Sequence, residues 1–293
     1  MPTTSATDRR QRFRAILAGG ACVHPASVHD AISARIAHDL GFELGMFAGS
    51  VASLAVLGAP DIVVLTLTEF AEQARRIGRG APALPLLVDA DHGYGNALNA
   101  ERTVQELEAA GVAALTIEDT VLPTPYGSDG PTLLPLEEGL GKVAAALAAR
   151  DDPSLVVVAR TSAVGITGIE DAVARARAYA ALGPDALFFT GITKQAQLEA
   201  LAAATRLPII LGGIPAVLND QAALAAHRVR VSLQGHQPFA AAVQALHDTL
   251  KALRDGTPPA DLAGVAPASL MTRVTRAHEY EARRKRFLGG SAA

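Results

Sequence analysis

Residues Leu86 to Asn96 read LLVDADHGYGN, an apolar run that meets two acids one residue apart, then a histidine and two glycines. Residues two apart on a strand lean to the same side, so Asp89 and Asp91 are expected to face together. Two such carboxylates repel and shift toward protonation unless a cation sits between them. Glu118, near the end of AALTIED, offers a third oxygen donor from the neighbouring strand. Hard oxygen ligands without a cysteine favour Mg²⁺, with Mn²⁺ as the alternative, and such ions usually keep several waters. Gly93 and Gly95 would then let the backbone come close to a ligand. The competing role for an aspartate at a strand end is to cap the next helix. The convergence with Glu118 and Arg160 favours the metal.

Arg160 closes the run VVVAR and needs a counter-charge. Its planar fork suits a substrate carboxylate, and an ion pair with Glu118 or Asp119 is equally open. His236 could bind substrate, transfer a proton, or simply be solvated. Ser50, in AGSVAS, could donate to a substrate carboxylate, and LGG at 211–213 could cradle a phosphate. His92 has no ligand spacing and is read as packing beside the acidic turn.

These side chains need a scaffold that gathers them. Eight apolar strand-length runs alternate with alanine-rich helical segments: ACVHPAS, LGMFAGS, PLLVDAD, AALTIED, LVVVART, ALFFT, PIILGG and VRVSLQG. Continuous apolar strands separated by helices mean a parallel sheet covered on both faces. Pro85 and Pro208 stand at strand starts, where a missing N–H is tolerated. Thr66 with Glu69, and Thr167 with Glu170, have capping-box spacing. Val104 and Leu107 share a helix face that Gly111 should end. The fold class is α/β, a (β/α)8 TIM-type barrel with an extra C-terminal helix. Such barrels place chemistry at the C-terminal strand ends, which is where Ser50, Asp89, Asp91, Glu118, Arg160 and His236 fall.

The chain of 293 residues is 49% hydrophobic and 19% charged, ample for one core. One domain over 1–293 is expected, with 260–288 as a helical extension in which MTRVTRAHEYEARRKRF forms a charged helix. The net charge of −3 gives no basic field for nucleic acid or an anionic membrane. The single cysteine, Cys22, excludes an internal disulfide framework and a cysteine-based zinc cluster. The segment RRQRFRAILAGGACV has the basic-then-apolar order of a secretion signal, but its apolar part is short and is broken by Gly19 and Gly20. No apolar run is long enough to span a bilayer, and a cytoplasmic protein is expected.

The motifs DADHGYGN, AALTIED and VVVART, in this order and at these separations, resemble the isocitrate lyase/phosphoenolpyruvate mutase superfamily, most nearly its oxaloacetate decarboxylase branch. The resemblance extends through SARIAHDLGFELGMFAGSVASL, LTEFAEQARRIGR and ALTIEDTVLP, so it covers nearly the whole chain. It implies a homo-oligomer, a tetramer built as a dimer of dimers, with the terminal helix exchanged between subunits. It implies one Mg²⁺ per subunit and a small 2-oxo or 2-hydroxy acid substrate. Carried over by motif, Asp89 is the direct metal ligand, while Asp61, Asp91 and Glu118 hold metal-bound waters. Ser50, Arg160 and His236 match substrate-contacting positions, the last two as the catalytic pair.

The implied reaction is Mg²⁺-dependent decarboxylation of oxaloacetate to pyruvate and CO2 through a metal-stabilised enolate. The alternatives are a C–C lyase of the superfamily acting on another 2-hydroxy acid, such as a 2-methylisocitrate-like substrate, and a non-catalytic barrel that binds a small acid. The lyase branch carries a catalytic cysteine in the loop after strand four, and here that loop, TVLPTPYGSDGPTLLPLEEG, has none. The mutases' Lys and Asn gating-loop pattern is also absent. Three positions depart from the decarboxylase branch. Gly213 falls where the branch has a tyrosine after strand seven, and Ser162 and Gln234 each replace an asparagine.

Overall fold

The computed structural model describes residues 4–289. All eight expected strands form: β1 Ala26–Ser27, β2 Gly45–Phe47, β3 Leu86–Asp89, β4 Ala114–Glu118, β5 Val156–Thr161, β6 Ala186–Phe189, β7 Ile209–Leu211 and β8 Val229–Ser232. They pair in sequence order, each parallel to the next. Val23, just upstream of β1, bridges Val231 of β8 in parallel. Its amide donates to Arg230 O, and Ser232 N donates to Val23 O, both at 3.0 Å. Those two bonds bring the sheet back onto its beginning, and the fold is the (β/α)8 barrel. β2, β3, β4 and β6 are buried at every residue, as a parallel sheet covered on both faces requires.

The helices of this unit are α1 Ala6–Ala18, α2 Ala31–Asp39, α3 Gly49–Ala52, α4 Leu67–Gly80, α5 Ala97–Ala110, α6 Leu136–Ala148, α7 Ala163–Ile166, α8 Ile169–Leu182, α9 Gln195–Ala204 and α10 Gln221–Ala226. α4 opens with the expected box: Thr66 Oγ1 accepts from Glu69 N, and Glu69 Oε2 accepts from Thr66 N at 2.9 Å. α5 buries Val104 and Leu107 and ends at Gly111, whose φ of 82° is the left-handed cap glycine permits. Burial of a leucine such as Leu107 contributes about 1.5–3 kcal/mol. The box expected at Thr167 does not form. Gly168, at φ 101°, is the N-cap of α8, and Thr167 Oγ1 donates to Asp171 instead at 2.6 Å.

The basic run near the N-terminus has a structural use. On α1, Arg9 and Arg10 donate to the carbonyls of Gly111, Val112 and Glu108, Arg12 to Ala83, and Arg14 to Pro153, Ser154 and Leu155. These carbonyls lie in the segments that enter β3, β4 and β5, at the barrel end away from the strand C-termini. Arginine suits this task because one guanidinium carries several fixed donors.

The chain divides into two compact units between His236 and Gln237. The second holds α11 Gln237–Arg254, α12 Ala268–Thr275 and α13 Ala277–Leu288. The single charged helix expected over 271–287 is interrupted, because Arg276 takes a left-handed conformation at φ 58° and separates α12 from α13. No helix among the described residues is long and apolar enough to cross a membrane.

Candidate active site

Register gathers the acids. Asp89 ends β3 and pairs with Thr116 of β4, and Glu118 pairs with Arg160 of β5. Thr116 Oγ1 donates to Asp89 Oδ1 at 2.8 Å, a buried contact with no signal in residue spacing. Arg160 Nη1 donates to Asp89 Oδ2. Its Nε lies 3.1 Å from Glu118 Oε2, a charge contact without hydrogen-bond alignment. The guanidinium carbon lies 5.1 Å from the Phe188 ring centroid, within cation–π range. Asp119, the other partner weighed for Arg160, is taken by Arg175 at 2.9 Å and the Tyr179 hydroxyl at 2.7 Å. Arg160 therefore makes a structural ion pair and still lines the cavity.

Asp91 reaches the site differently from expected. It lies beyond the end of β3 with φ 47°, so strand alternation does not aim it. Its carboxylate instead occupies the space beside Gly49, where any Cβ would stand 2.5 Å from Asp91 Oδ1. Neither acid caps α5, whose cap is Asn96, accepting from Leu98 N at 2.9 Å. Gly93 and Gly95 also differ from expectation. A Cβ at Gly93 would crowd Ala100, and one at Gly95 would overlap Asn99, so packing against α5 requires them rather than ligand approach.

One cavity of about 570 Å³ opens at the C-terminal strand ends. Asp61, Asp89, Asp91 and Glu118 line it together with Arg160, and Ser50 and His236 complete the expected set. Ser27 Oγ stands 2.8 Å from His236 Nδ1 and leaves Nε2 as the free ring nitrogen. Sequence reading missed Ser27, because only the fold brings residues 27 and 236 together. His92 is buried, packs 6.0 Å from the Tyr94 ring, and takes no place in the cavity lining. Of the departing positions, Ser162 lines the cavity and bonds Thr190 Oγ1 at 2.8 Å, whereas Gly213 and Gln234 do not line it. In the LGG segment the Gly212 amide is already engaged, donating to Phe189 O at 2.9 Å, and a Cβ there would meet the Thr190 methyl.

Burial sets the electrostatics. It pushes Glu118 up to about 7, with Asp89 adding to the rise and Arg160 opposing it. Asp91 is raised well above the carboxylate range by burial, then by Asp89 and Glu118. Asp61 is raised by burial and by Asp89. Burial lowers His236 against the pull of Asp89 and Asp61. Burial would also lower Arg160, but Asp89 and Glu118 outweigh it and hold the guanidinium charged. Four carboxylates thus share one guanidinium, an excess of negative charge that a divalent cation would relieve.

The donor set fits Mg²⁺ or Mn²⁺, being all oxygen, with Cys22 buried elsewhere. Among the described residues, no three Asp, Glu, His or Cys side chains close around a point as a metal cage. An ion held here would keep waters in its shell, as Mg²⁺ does.

The chain is similar to known proteins over nearly its whole length. The family described as phosphoenolpyruvate phosphomutase matches residues 13–254. A protein of Bradyrhizobium diazoefficiens named oxaloacetate decarboxylase is 63% identical over 281 residues, covering 96% of this chain and 97% of that one. A Rhodopseudomonas palustris protein of the same name is 64% identical over 282 residues, with the same coverage. Among solved structures, oxaloacetate acetylhydrolase with the inhibitor 3,3-difluorooxalacetate superposes with a TM-score of 0.84 at 27% identity, covering 98% of this chain and 99% of that one. Phosphonopyruvate hydrolase with oxalate and Mg²⁺ gives 0.82 at 29% identity, covering 96% and 99%. The chain belongs to the phosphoenolpyruvate phosphomutase family of enzymes, within the isocitrate lyase/PEP mutase superfamily.

Proposed function

We propose that this protein is a carboxy-lyase that decarboxylates oxaloacetate to pyruvate and CO2 with Mg²⁺, for which Mn²⁺ can substitute. The observation that carries the reading is Arg160 held between Asp89 and Glu118 on the wall of an acid-lined cavity. The name shared by its full-length relatives supports the substrate.

Asp89 holds the ion directly in this reading, and Asp61, Asp91 and Glu118 hold its waters. When bound, Mg²⁺ supplies Lewis-acid polarisation of the substrate's 2-keto oxygen. The residues of the chain do the rest. Ser50 donates to a substrate carboxylate and orients it. Arg160, hydrogen-bonded to Asp89 and held by the charge of Glu118, presents a charge that needs no reorganisation as the enolate oxyanion develops. The bond between C3 and the distal carboxylate breaks, CO2 leaves, and C3 takes a proton. His236 Nε2, the ring nitrogen that Ser27 leaves free, is the atom assigned to deliver it, from the protonated ring, which returns to neutral imidazole and regains its proton from solvent.

The second reading, cleavage of a 2-hydroxy acid by the superfamily's thiol-dependent route, lacks its acid. Residues 120–139 contain no cysteine, and Cys22 is buried and does not line the cavity.

The test is pyruvate formation from oxaloacetate with Mg²⁺, with EDTA, and with Asp89→Ala as the blank for decarboxylation by free metal. Saturable turnover lost in both controls supports the reading. Turnover no faster than that of the variant would sink it.

The same reading takes 1–293 as one working barrel with 260–288 as its extension, in a cytoplasmic tetramer whose terminal helix is exchanged between subunits. It is supported by α11, which buries no residue yet exposes Val243, Leu246 and Leu250. A monomer in light scattering would refute the assembly.

A further inference from the structure

The turn that carries the cavity acids has strained backbone. Asp91 and Tyr94 have φ of 47° and 59°, values that side-chain-bearing residues seldom adopt, and Gly93 and Gly95 flank Tyr94 at 75° and 150°. Such a turn persists only where its surroundings hold it. Gly93 N donates to Ala90 O within it, and Glu118 N at the end of β4 donates to Asp91 O, both at 2.9 Å. Two buried side chains hold it from outside. Thr103 Oγ1 of α5 donates to Gly93 O at 3.0 Å, and Lys142 Nζ of α6 donates to His92 O at 2.7 Å.

Lys142 is an unusual residue in this place. It lies on the helix after β4, yet it reaches the turn after β3, fifty positions earlier in the chain. It is only 3% exposed, where lysine is seldom found unless it is paired. It does not line the catalytic cavity. It lines a closed gap on the far side of the wall, together with Glu118, Asp119 and Arg160. An apolar side chain could fill that volume without the desolvation of a charge. The ammonium therefore has a use beyond filling space: near the charges of Glu138, Glu118 and Asp119, it makes its one hydrogen bond among the described residues to the His92 carbonyl, between the two halves of the acidic turn.

We infer that Lys142 is a positioning residue for the metal-binding acids: by pinning His92 O from behind the wall, it fixes the aim of Asp91 and the end of β3 that carries Asp89. The inference rests on the reading of those acids as a metal site. Residues that orient ligands in this way typically contribute ten- to a hundred-fold in metal affinity.

The test is Mn²⁺ titration of the metal-free protein, followed by the electron paramagnetic resonance of free Mn²⁺, with the melting temperature measured in the same buffer. Lys142→Met removes the donor and keeps the stem; its Kd for Mn²⁺ should rise on the order of ten-fold or more. Lys142→Gln keeps a polar stem but falls one bond short of His92 O, and it serves if the methionine variant does not fold. Its Kd should rise as well. Arg10→Met, at the opposite end of the barrel, should lower the melting temperature and leave the Kd unchanged. A folded Lys142 variant that binds Mn²⁺ as the wild type does would overturn the inference. So would an equal loss of affinity in Arg10→Met, which would make the effect one of general stability. Failure of the wild type to bind Mn²⁺ saturably would instead overturn the metal reading itself.

Discussion

Asp91 and Gly49 share one space: the carboxylate stands so close to the glycine Cα that a Cβ there would lie 2.5 Å from Oδ1 and 2.7 Å from Oδ2. The glycine opens α3 and the acid follows β3, so neighbouring strand ends fit together through the absence of a side chain. Gly49→Ala should displace Asp91 and reduce kcat/KM on oxaloacetate by about ten-fold or more, as loss of a ligand-shell group does. Alanine is the better helix former, so the melting temperature should hold. Steady-state kinetics beside a thermal melt would separate the two effects. Full activity in this variant would show that the position of Asp91 is immaterial.

Arg160 meets Asp89 through Nη1 and approaches Glu118 through Nε, a two-sided arrangement that an ammonium cannot reproduce. Arg160→Lys keeps the charge and loses the fork. A fall in kcat of roughly a hundred-fold is expected, the scale set by removing one preorganised donor to a developing oxyanion. A fall confined to KM would assign Arg160 to binding alone.

Asp152 anchors the far end of the barrel. It accepts from Arg10 at 2.6 Å, from Ser154 N at 2.8 Å and from Thr7 at 2.9 Å. Its hydrogen bonds to Ser154, then those to Arg10 and Thr7, hold its carboxyl well below the usual carboxylate range. Because the folded pKa is the lower one, this stabilisation is complete above the unfolded value of about 4 and is lost as pH falls through the folded one. Asp152→Asn should therefore cost on the order of 1–2 kcal/mol at pH 7. The difference from wild type should narrow below about pH 4. Urea melts at several pH values would show it; a difference independent of pH would remove the ionised carboxylate from the account.

Much of the barrel is legible in the sequence because its strands are apolar on both faces and its helices carry local start and stop signals. Thr66 with Glu69, and Gly111, are such signals, and each depends only on residues within one turn. Thr167 with Glu170 has the same spacing and fails, because Gly168 takes the cap position. The seven candidate site residues reach one cavity because the C-terminal ends of parallel strands converge. Their partners are illegible for the opposite reason. Thr116 with Asp89, Ser27 with His236, Lys142 with His92 and Gly49 with Asp91 are neighbours only after folding. Gly93 and Gly95 invited a ligand-binding reading, since nothing in their spacing reports that α5 stands against them.

The arginines of α1 tie off the carbonyls leading into β3, β4 and β5 at the end of the barrel away from the cavity. The arginine contacts that secure the strand entries and the residues that line the cavity therefore sit on different rims of one cylinder. Substitutions around the cavity mouth can accumulate and alter which acid is accepted, while the opposite rim keeps the strands in register.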